Sequence, residues 1–144
     1  MMSAALKALQ VRDVMTTKVI TVKEIDDFAL VSEKMDIHHI RHLPVINEIG
    51  KLVGLVTQRH LYKLHSPRKL EDGSWFYDKE ALNGFILSKV MIHEVVTLPL
   101  EASMFNAVSL MVDNKIGCIV IVDSSKTLLG ILTRDDIFKL LLTQ

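Results

Sequence analysis

The sequence predicts a mixed α/β (α+β) fold in which one β-α-β-β-α unit is used twice. Residues 11–64 align with residues 87–140 without a gap at a constant offset of 76, and eleven positions are identical. Many of the other positions exchange one apolar residue for another. Self-similarity at a fixed spacing indicates a repeated supersecondary unit, and two copies are too few for a solenoid. We therefore expect the copies to bury each other as a pseudo-two-fold pair with a cleft between them.

Each repeat is predicted to open with an extended segment, because β-branched residues dominate Val19 to Val22. A helix follows, because apolar residues recur at helical spacing in both copies. These residues are Phe28, Val31 and Met35 in the first copy and Met104, Ala107, Val108 and Met111 in the second.

Two strands and a final helix complete each predicted unit. In the first copy an apolar run at 43–46, a turn at 47–50 and a second run at 52–56 indicate a hairpin-like pair. The helix starts just after Thr57, and each feature has a counterpart 76 residues later. Near-continuous apolar runs are typical of strands buried on both faces. The second strand of each copy contains a glycine, Gly54 or Gly130, where we expect another backbone or a ligand to approach closely.

Residues 65–86 are predicted to link the two repeats. They contain Ser66-Pro67, a turn signal at 71–74 and three aromatic residues, Trp75, Phe76 and Tyr77. Two interpretations are open: a loop whose aromatic side chains pack on the body of the domain, or a lid for a ligand or partner. Residues 78–86 are expected to add a short helix.

Composition excludes several classes of function. With 144 residues, 49% of them hydrophobic, the chain can build a real core, and we expect one compact domain. Lys+Arg and Asp+Glu number 17 each, which argues against general electrostatic binding of nucleic acid. No apolar run reaches the roughly 20 residues of a membrane span, and the N-terminal segment, residues 1–10, has no signal-peptide core. We predict a cytoplasmic protein with no membrane partner.

Cys118 is the only cysteine, so the chain has no internal disulfide, which fits a reducing compartment. Its apolar surroundings predict a small buried hydrophobic residue rather than a reactive thiol. No zinc site is predicted at His38, His39 and His42, because Pro44 disfavours continuation of a helix to the residue before it. No cysteine or carboxylate cluster joins these histidines.

Several strings, each weak alone, occur in the same order in both copies. Together they resemble a tandem pair of CBS (cystathionine-β-synthase-type) domains over nearly the whole chain outside the linker. The strings are Val14-Met15-Thr16, Val19-Ile20-Thr21, Ile40-Arg41-His42-Leu43-Pro44-Val45 and Leu52-Val53-Gly54-Leu55-Val56-Thr57, then Val90-Met91, Val95-Val96-Thr97 and Leu129-Gly130-Ile131-Leu132-Thr133-Arg134-Asp135-Asp136-Ile137.

The resemblance implies a regulatory module that binds an adenosine compound such as AMP, ADP, ATP or S-adenosylmethionine as an effector, with no obligatory cofactor. It also implies two pseudo-equivalent clefts and a homodimer. Stand-alone pairs of this size include proteins similar to an acetoin-utilisation accessory protein.

The sharpest string for ligand chemistry is Gly130 to Asp136, which resembles the Gly-x-x-Thr/Ser-x-x-Asp nucleotide motif of the family. A hydroxyl residue caps a helix there, and N–H groups at the helix start can face an anion. The Asp136 carboxylate, one turn in, can accept bonds from two ribose hydroxyls, each contributing about 1.5–3 kcal/mol. The spacing of Thr133 and Asp136 is also close to that of a capping box, and the two roles are compatible.

The first copy departs from this motif, because His60 stands where Asp136 stands in the second. A histidine cannot accept two hydroxyl donors as a carboxylate does, so we hypothesise that only the Asp136 cleft binds a nucleotide well. In the family this cleft is completed by the other repeat. By that resemblance, Thr16, Ile20, Ile40 and the backbone around Arg41 would hold the adenine, and Ile131, Thr133, Asp135 and Asp136 would form the ribose side.

A basic string at residues 38–42 complicates this assignment. Arg41 can bind a phosphate bidentately, and His42 can add charge below about pH 6.5. Three interpretations compete: the Asp136 cleft prefers a ligand with little phosphate charge, the His60 cleft holds an unusual anionic ligand, or the string is a solvated helix end beside the helix dipole. The candidate phosphate contacts of the second cleft are Arg41, His42, Thr57 and His60.

No catalytic set emerges from the sequence, which has no P-loop string. A nucleotide-dependent enzyme would need a paired acid and metal ligands that we do not find, so no enzyme, catalytic residue or metal site is predicted. A ligand-free structural or interaction module is the main rival, and the His60 replacement favours it. We expect a non-catalytic sensor that signals to a separate partner protein.

Overall fold

The computed structural model describes residues 2–64, 68–76 and 86–143. These residues form two compact units. Unit 1 consists of Met1–Val19, Gly50–Leu52 and Val95–Gln144, and unit 2 consists of Ile20–Ile49 and Val53–Glu94. Each unit therefore combines most of one repeat with the segment that opens the other repeat.

Both repeats fold into the same series of strands and helices. In chain order the elements are α1 (Met2–Ala8), a 3-10 turn (Val11–Asp13), β1 (Val22–Lys23), α2 (Phe28–His38), β2 (His42–Ile46), β3 (Leu52–Thr57), α3 (Gln58–Leu64), β4 (Arg68–Lys69), β5 (Trp75–Phe76), α4 (Leu87–Val90), β6 (Thr97–Leu98), α5 (Met104–Asn114), β7 (Cys118–Val122), β8 (Leu128–Thr133) and α6 (Arg134–Leu142). The predicted α/β class and the repeated β-α-β-β-α order are confirmed.

The two three-stranded sheets have the orders β1-β2-β3 and β6-β7-β8. In each sheet the first strand runs parallel to the middle strand, and β7 pairs with β8 in antiparallel fashion. The first strand is shorter than the β-branched segment that predicted it. Only Val22 and Lys23 pair with β2, so the strand begins three residues later than the composition indicated.

The long helix of each repeat starts at a side-chain cap and ends at a left-handed residue. Asp27 before α2 and Ser103 before α5 each accept a bond from the backbone N–H three residues on, at 2.9 and 3.0 Å, which satisfies a donor that the helix leaves free. Both helices end at a residue in the left-handed conformation, His39 with φ 53° and Lys115 with φ 54°. Of the three histidines, only His38 belongs to α2, because His39 is the left-handed residue that ends the helix and His42 lies on β2.

Each unit has its own hydrophobic core, to which the long helix contributes the residues predicted by periodicity. Phe28, Val31 and Met35 are buried in unit 2. Met104, Ala107 and Met111 are buried in unit 1, where Val108 is only partly buried.

The segment predicted as a linker contains a small antiparallel hairpin of β4 and β5. Its turn is the one predicted at 71–74: Gly73 has φ +88°, and Asp72 Oδ1 accepts the Ser74 N–H at 2.9 Å. Tyr77 and all but the last residue of the expected helix over 78–86 fall outside the described residues, so both interpretations of the linker aromatics stay predictions. None of the described helices is long and apolar enough to cross a membrane.

Candidate functional site

A close crossing of two backbones builds the candidate site in unit 1. Thr16 and Ile131 exchange both backbone hydrogen bonds, each 2.9 Å long. A Cβ atom at Gly130 would lie 2.6 Å from the Met15 Sδ and 2.9 Å from the Thr16 carbonyl oxygen, so glycine is required for this approach. The prediction that another backbone or a ligand comes close to Gly130 is confirmed.

This crossing brings the Thr16 side chain to the start of α6, where the Asp136 carboxylate accepts three hydrogen bonds. The Thr16 hydroxyl donates to Asp136 Oδ1 at 2.7 Å. The Thr133 N–H and hydroxyl donate to Oδ2 at 2.8 and 3.2 Å. Asp136 is the one charged residue classed as buried in the part of the chain that the structure describes, at 9% exposure. Its helix-capping role is thus present in the structure.

Unit 2 contains the same crossing with different side chains. Leu55 and Ile92 exchange both backbone bonds, at 3.0 and 2.8 Å, and the Met91 side chain packs against Gly54. Ile92 corresponds to Thr16 in the repeat alignment, and its side chain has no hydroxyl to offer. The crossing is therefore kept in both units, whereas the hydroxyl–carboxylate pair occurs only in unit 1.

His60 takes over the capping role of Asp136 at the start of α3. Its Nδ1 accepts the Thr57 N–H at 2.9 Å and lies 3.1 Å from the Thr57 hydroxyl. Burial lowers the pKa of His60, and the positive charges of Lys63 and Arg59 lower it further. The neutral ring is therefore favoured, with its remaining proton on Nε2.

The structure divides the predicted site residues between the two units. Thr16, Ile131, Thr133 and Asp136 meet in unit 1, with Asp135 exposed in the first turn of α6. In unit 2 the Arg41 carbonyl accepts the Gln58 N–H at 2.9 Å, which places it at the start of α3, the helix of His60. The other predicted residues of unit 2 are Ile20 and Ile40, which pack against its core, His42, which begins β2, and Thr57, which ends β3.

Sequence reasoning placed Thr16 in the Asp136 cleft but assigned it to the adenine, and it did not predict the hydrogen bond between Thr16 and Asp136. The signal was present in the alignment of the repeats, because the two positions change together from Thr16 and Asp136 to Ile92 and His60. A polar pair replaced at both positions at once indicates that its members act together.

Cys118 and a separate cavity lie outside this site. Cys118 is buried, and burial raises the pKa of its thiol to about 12, so the reactive thiolate is scarce at neutral pH. The described residues contain no group of three His, Cys, Asp or Glu side chains that could hold a metal ion. A cavity of about 490 Å³ in unit 1, beside Thr97–Leu98 and Asp123–Ser124, contains none of the predicted site residues.

Comparison with known proteins identifies the family. The sequence model described as "CBS domain" matches residues 11–66 and 87–143, which together make up most of the chain. The chain belongs to the CBS domain family. Both copies of the internal repeat fall within these two matches, so the protein carries a CBS pair.

Solved structures share this CBS-pair fold. A Vibrio cholerae protein assigned to acetoin utilization (AcuB) is 26% identical, with a TM-score of 0.77 over 94% of this chain and 91% of that one. The CBS pair of protein MJ0100, in complex with 5'-methylthioadenosine and S-adenosyl-L-methionine, is 24% identical, with a TM-score of 0.76 over 93% and 96%. CBSX2 in complex with AMP is 23% identical, with a TM-score of 0.78 over 94% and 98%.

Curated relatives of the CBS pair include longer proteins. The homoserine O-acetyltransferase of Methanococcoides burtonii is 32% identical over 132 residues, which make up 91% of this chain but 24% of the relative. The chain thus spans about a quarter of the length of that protein, and the match concerns that part alone.

Proposed function

We propose that this CBS pair is a non-catalytic regulatory module that binds one adenosine-containing ligand through Asp136. The observation that carries the proposal is the buried carboxylate of Asp136, held at the start of α6 by Thr133 and Thr16. A carboxylate fixed in this way is an acceptor for the vicinal hydroxyls of a ribose. The corresponding place in unit 2 has His60, which supports a stoichiometry of one ligand per chain.

The ligand class rests on the chemistry of Asp136 and on the family. Members of similar fold hold AMP, or S-adenosylmethionine with methylthioadenosine. All three compounds contain adenosine with its ribose diol, and two of them have no phosphate. This agrees with the interpretation that the Asp136 site prefers a ligand with little phosphate charge.

The remaining predicted contacts belong to the same proposal. Ile131, Thr133 and Asp135 accompany Asp136 on the ribose side, and Ile20, Ile40 and Arg41 are proposed to contact the base. For the His60 site we keep the proposal that Arg41, His42, Thr57 and His60 contact an anionic group. Support for it is the bond between the Arg41 carbonyl and Gln58, which brings residue 41 to the start of the His60 helix.

The module is proposed to transmit ligand binding to another protein or to the second subunit of a homodimer. A ligand shifts a conformational equilibrium only by its different affinities for the two states, so occupancy has to be read by a surface that differs between them. Helix α6 offers such a surface, because Phe138, Leu141 and Leu142 are exposed at 58%, 45% and 86% and follow one another at helical spacing.

A thermal-shift and calorimetric panel tests the proposal. AMP, ADP, ATP and S-adenosylmethionine are added to the wild type, to Asp136→Asn and to Asp113→Asn, an exposed aspartate of α5 that serves as the control. At 100 times its dissociation constant, a single-site ligand adds about 2.7 kcal/mol, or roughly 5–11 °C in Tm for a domain of this size. We expect this shift in the wild type and the control, and its loss in Asp136→Asn.

A ligand-free interaction module is the second candidate function. The observation that favours it is the pair Ile92 and His60, which has replaced the hydroxyl and the carboxylate in one of the two units. No shift with any compound, in protein shown by its absorbance ratio to carry no nucleotide, would favour this alternative and reject the adenosine sensor.

A further inference from the structure

The Asp136 carboxylate has little free acceptor capacity. A carboxylate offers about four lone-pair positions on its two oxygens. Thr133 uses two of them on Oδ2, and Thr16 uses one on Oδ1. The diol of a ribose brings two donor hydroxyls, so a second hydroxyl can bind Asp136 only if one of the existing donors moves away.

Thr16 is the donor best placed to move. The Thr133 N–H belongs to the backbone at the start of α6, and the Thr133 hydroxyl shares Oδ2 with it. Thr16 is exposed, and its backbone is held independently by the two bonds to Ile131. A rotation of its side chain breaks the bond to Asp136 without moving the main chain, and water can then solvate the hydroxyl.

We propose that the Thr16 hydroxyl competes with the ligand for Asp136 Oδ1, so that Thr16 lowers the affinity of the site for ligands whose ribose diol needs two acceptor positions on Asp136. This inference rests on the proposed function, and it gives Thr16 a role other than contact with the adenine. The repeat alignment supports the pairing, because the hydroxyl and the carboxylate are both absent at Ile92 and His60.

Calorimetric titration with AMP and with 2'-deoxy-AMP tests the competition. Thr16→Val keeps the shape of the side chain and removes the donor, whereas Thr16→Ser keeps the donor. Thr17→Val is the matched control, because Thr17 is the adjacent exposed threonine and makes no bond to Asp136. We expect Thr16→Val to bind AMP about three- to tenfold more tightly, with Thr16→Ser and Thr17→Val within about twofold of the wild type. The gain should shrink with 2'-deoxy-AMP, which presents one hydroxyl instead of two.

The outcomes separate this inference from the proposed function. If the wild type binds AMP and Thr16→Val binds it less tightly, Thr16 is a ligand contact and the competition is wrong. Unchanged affinity in Thr16→Val shows that the hydroxyl has no influence on the site, which also overturns the inference. If the wild type binds neither AMP nor S-adenosylmethionine, the proposed function fails first, and the inference fails with it.

Discussion

His60 Nδ1 accepts the backbone N–H of Thr57 at 2.9 Å, just as Asp136 Oδ2 accepts that of Thr133 at 2.8 Å. In both side chains the accepting atom is bonded directly to Cγ, so a histidine can replace an aspartate at a helix start. The two side chains differ in what they present to a ligand, because the carboxylate has a second acceptor oxygen whereas neutral His60 has a donor at Nε2. The two repeats therefore share one cap and differ in what they can bind.

This cap predicts a loss of stability in mild acid. The pKa of His60 is lowered below its ordinary value of 6.5 in the folded protein, whereas the unfolded chain keeps the ordinary value. The stabilisation by neutral His60 is therefore fully present above the unfolded pKa and is lost as the pH falls through the folded pKa. Because the ring is partly exposed, we expect this group to account for about 1 kcal/mol or less. Urea denaturation between about pH 7.5 and about pH 5 measures it.

The control for the acid effect is His60→Asn, whose amide oxygen can accept the Thr57 N–H without titrating. The remaining histidines are unchanged in this variant, so the difference between its pH profile and that of the wild type isolates His60. Equal loss of stability in both proteins would assign the effect to other groups.

Two substitutions should create a second binding site in unit 2. Ile92 exchanges both backbone bonds with Leu55 as Thr16 does with Ile131, so Ile92→Thr places a hydroxyl at the equivalent position. Combined with His60→Asp, it recreates the hydroxyl–carboxylate pair beside the same cap. If the wild type binds one AMP per chain, we expect a calorimetric stoichiometry of two in the double variant.

Each single substitution is a control for the second site. His60→Asp alone restores the carboxylate without a competing hydroxyl, so we expect it to bind AMP at unit 2 at least as tightly as the double variant does. Ile92→Thr alone adds a hydroxyl without a carboxylate and is not expected to bind. A stoichiometry of one in the folded double variant would show that other residues of unit 2 exclude the ligand.

The local order of the fold could be predicted from the sequence because it depends on periodicity and short-range signals. Phe28, Val31 and Met35 revealed the buried face of α2, and the glycines at 54 and 130 indicated close approaches of the chain. The hairpin of β4 and β5 was missed because two-residue strands leave too short a pattern to recognise.

The exchange of opening segments between the repeats could not be predicted from the same signals. The alignment shows that Met15 and Met91 are equivalent, but spacing does not tell whether a segment packs on its own copy or on the other. That choice is made by packing, which places Met15 against Gly130 and Met91 against Gly54. The bond between Thr16 and Asp136, 120 positions apart, follows from this choice.

The two close approaches predict unequal costs for the same substitution. A Cβ atom at Gly130 would meet the Thr16 carbonyl oxygen at 2.9 Å, and that oxygen is fixed by its bond to the Ile131 N–H. At Gly54 the nearest atoms all belong to the Met91 side chain, and methionine adapts easily because its thioether chain is flexible. We expect Gly130→Ala to cost about 2 kcal/mol and Gly54→Ala about 1 kcal/mol in the free energy of unfolding, measured by urea denaturation.

Double-mutant cycles with the facing methionines distinguish a side-chain clash from a backbone clash. Met91→Ala should remove most of the penalty of Gly54→Ala, because the side chain that the new methyl group meets is gone. Met15→Ala should relieve Gly130→Ala only in part, because the Thr16 carbonyl stays in place. The coupling energy between Met91→Ala and Gly54→Ala should therefore offset nearly the whole penalty of Gly54→Ala. The coupling energy between Met15→Ala and Gly130→Ala should offset a smaller share of the penalty of Gly130→Ala. If the methionine substitutions reduce the two glycine penalties equally, the segment that contains Met15 and Thr16 can shift away from β8. That shift would also move Thr16 away from Asp136.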